Sequence, residues 1–173
     1  MPAPLIFVIH LGLGYVAWAL AFFGYILPKF RTMDRVGVQR AIATLHSFRF
    51  FGLVFILPGV VGPHLPQGFA TSAAWGDFAT GLLALLALLA IRIRPLFWMF
   101  VVAYTLVGLG DLVVDYYTAV TLGLPAVAGD LGAAYIIPVV YVPLLMITHL
   151  AALYWLVWPS AKAAPASKIE KIA

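Results

Sequence analysis

The sequence predicts an all-α, polytopic membrane helix bundle of five transmembrane helices, with the N-terminus outside and the C-terminus in the cytoplasm. Three observations carry this prediction. Of the 173 residues, 65% are hydrophobic and 9% charged, whereas soluble domains run at about 45–50% apolar and about 25% charged. Five apolar stretches each approach the roughly 20 residues that a helix needs to cross the hydrocarbon core. The basic residues between those stretches all fall on one side.

The first stretch, Leu5 to Leu27, carries no Lys, Arg, Asp or Glu and is closed by Pro28. No Lys or Arg precedes its apolar run, so it reads as a retained helix and not as a cleaved signal. The second, Ala41 to Val61, contains His46, Arg49 and Pro58. The third, Trp75 to Ile91, is short, and Arg92 and Arg94 can snorkel to complete it. The fourth runs from Leu96 to Tyr116 after the break at Pro95. The fifth, Tyr135 to Trp158, contains Pro138 and Pro143, which membrane helices tolerate as kinks. Residues 1–160 are thus expected to form one transmembrane domain and 161–173 a short basic cytoplasmic tail.

Orientation follows from charge. Lys29, Arg31, Arg35 and Arg40 precede the second stretch, Arg92 and Arg94 separate the third and fourth, and Lys162, Lys168 and Lys171 lie in the tail. The segments on the opposite side contain neither Lys nor Arg, which makes the basic side cytoplasmic. The formal net charge of +4 is then a property of cytoplasmic loops, and no nucleic-acid partner is expected. The chain has no cysteine, which excludes disulfides and thiolate chemistry.

Of the ten Lys and Arg residues, Arg49 alone falls inside a stretch. Counted from Ala41 it sits about 12 Å above the cytoplasmic boundary at 1.5 Å per residue. An unpaired Arg in mid-membrane costs at least about 2.5–3.5 kcal/mol. His46, three residues earlier, shares its face. The same counting brings Tyr104, Thr105 and His149 to similar depth and finds no carboxylate there. His46, Arg49, Tyr104 and His149 therefore form a candidate ligand-binding layer, in which Arg49 can grip a carboxylate or phosphate with two hydrogen bonds. The alternative is structural: Arg49 bonds backbone carbonyls freed by the kinked fifth helix, or reaches Asp111.

The carboxylates are expected in a second, outer layer. Asp111 and Asp115 lie one turn apart on one face, Asp77 near the outer end of the third helix, and His10 in the first. His64 belongs to the outer turn at 62–66. Burial disfavours the charged form of the deepest, Asp111, so this layer is a candidate for handling a proton or cation; the plain alternative is hydration or helix capping. No HxxxH or HExxH motif supports a metal site, and no metal is expected. His46 and His149, on different helices at similar depth, leave b-type haem as a minority possibility. Gly108 with Gly110, and Ala17 with Ala21, read as helix-packing positions.

The stretches at 45–62 (LHSFRFFGLVFILPGVVG), 72–85 (SAAWGDFATGLLAL) and 142–150 (VPLLMITHL) resemble a pattern of small bacterial multi-pass membrane proteins. The resemblance implies the fold and a bacterial inner membrane, and no activity.

The function expected is binding or transport of a small anionic or lipophilic acidic molecule, with proton coupling at the outer aspartates. Five helices make a thin scaffold, so a homo-oligomer in the lipid bilayer is expected. The competing classes are a membrane-embedded enzyme with a His or Asp acid/base and Arg49 as electrophile, haem electron transfer, and an accessory subunit.

Overall fold

The structure, a computed structural model, describes residues 1–158; the tail expected at 161–173 lies outside them. Among the described residues there is no strand. Four of the helices in the described residues are long and apolar enough to cross a membrane: α1, Ala3–Thr32; α3, Gln67–Arg92; α4, Arg94–Thr121; and α5, Ile137–Val157.

The second expected stretch is built differently. Asp34 caps helix α2, Arg35–His46, by accepting from Gly37 N at 3.1 Å, an N-cap arrangement. The chain then continues without a break as a 3-10 helix, Ser47–Ile56, until Pro58 ends it. Runs of 3-10 helix longer than a few residues are uncommon and often mark functional or strained segments. Three residues per turn put His46, Arg49, Gly52 and Phe55 on a single line, and all four are buried while Phe48, Phe50, Phe51 and Ile56 are exposed. This line packs against α3. The two backbones come so close that a Cβ at Gly81 would lie 2.9 Å from Phe50 N.

Prolines shape the other rods. The π-helical turn Phe22–Ile26 in α1 precedes Pro28, and the turn Ile137–Tyr141 in α5 contains Pro138 and precedes Pro143. A proline cannot donate to the carbonyl four residues back, and each of these turns adjoins one. Trp18 Nε1 of α1 donates to Val140 O of the second turn at 2.8 Å.

The described chain has two apolar cores. One, near the basic end, gathers Phe30, Val38, Phe97 and Trp155; there Arg35 Nε donates to Trp155 O at 2.8 Å and its guanidinium stacks on Trp98. The other gathers Phe7, Phe55, Phe69 and Leu131 below the 57–66 loop, which Gly62 N fastens to Asp130 O at 2.6 Å. Outward-facing Leu13, Leu20, Leu89, Leu106 and Val113 are all exposed, a surface that a lipid bilayer solvates and water does not. Between the two cores lies a polar centre.

Candidate functional site

The centre is built on Arg49, fully buried on the 3-10 segment. Its Nε donates to Asp77 Oδ1 of α3 at 2.5 Å. Its Nη2 is paired with Asp111 Oδ2 of α4. Its Nη1 donates to Gly108 O at 3.3 Å and to His149 Nε2 of α5 at 3.1 Å. A guanidinium has five N–H donors in a rigid fork, and these four contacts tie three helices to the 3-10 segment.

This overturns the expectation that no carboxylate shares the depth of Arg49. The reason is length. α3 begins at Gln67 and α4 runs on to Thr121, so Asp77 and Asp111 each lie ten residues, about 15 Å, inside those ends. Arg49 is seven residues from Ile56, about 14 Å at the 3-10 rise. The two expected layers are therefore one centre, and the counter-anions of Arg49 are the protein's own. An external anion has to displace Asp77 or Asp111 to be gripped.

The histidines complete one side. His149 Nε2 accepts from Arg49, so the ring is neutral and its proton is on Nδ1. His46 Nε2 bonds Thr148 Oγ1 at 3.0 Å; that hydroxyl already donates to Leu144 O at 2.8 Å, so His46 is the donor. The two rings touch, with centroids 3.8 Å apart and planes at 39°, and Tyr104 stacks on His46 at 5.7 Å. Iron ligated axially by both rings needs a porphyrin between them, so this pair does not fit haem. Both Nδ1 atoms are buried without a hydrogen-bond partner. Tyr104 Oη donates to Gln39 Oε1 at 3.3 Å, and Gln39 Nε2 donates to Ala152 O at 2.8 Å.

Asp115, one turn beyond Asp111, is 9% exposed and its Oδ1 is buried without a partner. It and Asp77 line one wall of a cavity of about 130 Å³ whose other walls are apolar, Phe7, Leu11, Phe55, Phe69 and Val142 among them. His10, expected near the aspartates, instead bonds Tyr135 Oη at 2.9 Å. His64 faces Asp130 at 3.4 Å in the outer loops. Among the described residues no three His, Asp or Glu side chains are grouped to hold a metal ion. Thr105 Oγ1 donates to Val101 O of its own helix at 2.7 Å.

Sequence reasoning missed Gln39, which it left in a loop, and treated Gly108 and Gly110 alike. A Cβ at Gly108 would strike the His149 ring, whereas Gly110 faces open space. A signal was available: the period-three spacing of His46, Arg49, Gly52 and Phe55.

A family model described as a domain of unknown function (DUF8737) matches residues 6–157. Neither a curated protein nor a solved structure matches the chain.

Proposed function

The chain belongs to the DUF8737 family, and from the charge of its buried centre we propose that it binds or transports a small molecule across a membrane with exchange of protons at Asp77, Asp111 and Asp115. The membrane is the bacterial inner membrane. The α2 rod with its 3-10 extension crosses it along with the other four helices, and the N-terminus is outside.

One observation carries the reading: two carboxyls pair with one guanidinium, with His149 neutral beside it and a third buried carboxyl, Asp115, one turn beyond Asp111. Three ionised carboxylates against one cation leave an excess of two negative charges in an apolar bundle. Uncompensated buried charge costs several kcal/mol, so protons or a bound cation complete the centre. Intramembrane carboxylates of this kind belong to proton relays and ion pathways. Beyond Arg49, the buried groups His149, His46, Tyr104 and Gln39 extend the polar line toward the basic end, the direction along which a proton would be passed. Arg49 acts as the fixed positive charge that sets how many protons the carboxyls retain, and it is not the grip for an anionic ligand.

The test is proton stoichiometry. In pyranine-loaded proteoliposomes, a pH step should produce slow internal acidification through the wild type and none through Asp111→Asn. Equal traces from wild type, Asp111→Asn and empty vesicles would remove the proton role.

A further inference from the structure

The cavity beside Asp115 has features that specify a ligand. Its mouth is at the seam between α1 and α4: Val8 of α1 and Val120 of α4 both line it, and they are 57% and 73% exposed. Tyr15 Oη and Tyr116 Oη bridge the same seam at 2.6 Å. In a bilayer that seam faces lipid, so what enters arrives from the hydrocarbon. The walls are mostly phenylalanine and aliphatic side chains, and the volume of about 130 Å³ is close to the roughly 150 Å³ that holds benzene, so the ligand is a small one. Its polar lining residues are Asp77, Asp115 and Tyr116, and the Tyr116 hydroxyl is engaged by Tyr15. Asp77 is committed to Arg49, while Asp115 Oδ1, in a side chain nine-tenths buried, has no partner.

We propose that this cavity is a lateral binding site for a small lipophilic amine, taken from the bilayer between α1 and α4 and held by Asp115. The inference rests on the proton-exchanging reading of the centre and names its substrate class. The amine enters neutral. Its nitrogen lone pair takes the proton of the Asp115 carboxyl: the O–H bond breaks, an N–H bond forms, and an ammonium–carboxylate pair remains with no change in net charge. Phe7, Phe55 and Phe69 present ring surface that also favours a cation. An anion finds the Arg49 guanidinium already paired with Asp77 and Asp111, and a neutral alcohol of the same shape gains no ion pair.

Benzylamine and benzyl alcohol are the probes, compared by calorimetry on the purified full-length chain. Wild type should bind benzylamine more tightly than benzyl alcohol. Asp115→Asn should lose at least about tenfold in benzylamine affinity, the size of a lost charge-assisted hydrogen bond, and keep its affinity for the alcohol. Ala119→Leu, which fills the cavity and leaves every carboxyl in place, should weaken both. Equal binding of the two probes, an unchanged Asp115→Asn, an unchanged Ala119→Leu, or no binding of either probe would overturn the site. None of those outcomes alters the carboxyl protonation measured in the absence of amine, so the centre and its ligand stand or fall separately.

Discussion

Arg49 and Asp77, 28 positions apart in the chain, are joined by a 2.5 Å hydrogen bond across the seam between the 3-10 segment and α3. The bond exists because a three-residue turn aims Arg49 at α3. Gly52, on the same line, has no side chain to obstruct the Asp77 carboxyl, which a Cβ there would strike.

Arg49→Leu should destabilise the protein by about 3–5 kcal/mol, because it strands two buried carboxyls and His149. Arg49→Lys should recover only part of this, since a point charge cannot reproduce the fork. The pair Arg49→Gln with Asp77→Asn should cost less than the sum of its singles, as coupled sites do. Unfolding in detergent measures all five variants; strict additivity would mean that the two side chains do not interact.

Gly108→Ala should lower stability by about 1–3 kcal/mol through overpacking against His149. Gly110→Ala, two residues along the same helix with nothing within 4 Å of its Cβ position, should be neutral or slightly stabilising, because Ala suits a helix better than Gly. Thermal unfolding of the two variants side by side is sufficient, and similar losses from both would contradict the packing described.

Topology is open to a direct check. A reporter fused at the C-terminus should read cytoplasmic, and one inserted in the 57–66 loop should read external. The expectation rests on five crossings, including the α2 rod and its 3-10 extension. Both reporters on one side would mean that one of α3, α4 and α5 does not cross; a third reporter at Met33–Asp34, ahead of the α2 rod, should read cytoplasmic, and one reading the same side as the 57–66 loop would mean that this rod does not cross.

Much of the fold was legible in the sequence because bilayer thickness sets a length that composition reveals. Helices α1, α3 and α4 each contain the expected apolar run, and α5 covers all of its run but Tyr135, Ile136 and Trp158. Their ends were not legible. Trp75 reads as an interfacial anchor, yet α3 starts eight residues earlier at Gln67, and α4 outlasts Tyr116 by five. Those turns of helix carry Asp77 and Asp111 to the depth of Arg49. The gathering of His46, Arg49, Tyr104 and His149 was visible by counting depth. The partner set was not, because counting assumes the α-helical rise of about 1.5 Å per residue, whereas the 3-10 segment rises about 2.0 Å. Gln39 was hidden by an α2 that starts at Arg35, inside what reads as a basic loop.

The central claim is that the Arg49 centre retains protons because its carboxyls outnumber its cation. Infrared titration of the purified protein tests this most directly, since a protonated carboxyl and a carboxylate absorb at different frequencies. The account predicts a protonated-carboxyl band at neutral pH that fades as pH is raised, weakens in Asp115→Asn, and persists in Asp34→Asn, a carboxyl outside the centre. A spectrum at neutral pH with every carboxyl ionised, identical in wild type and Asp115→Asn, would contradict it.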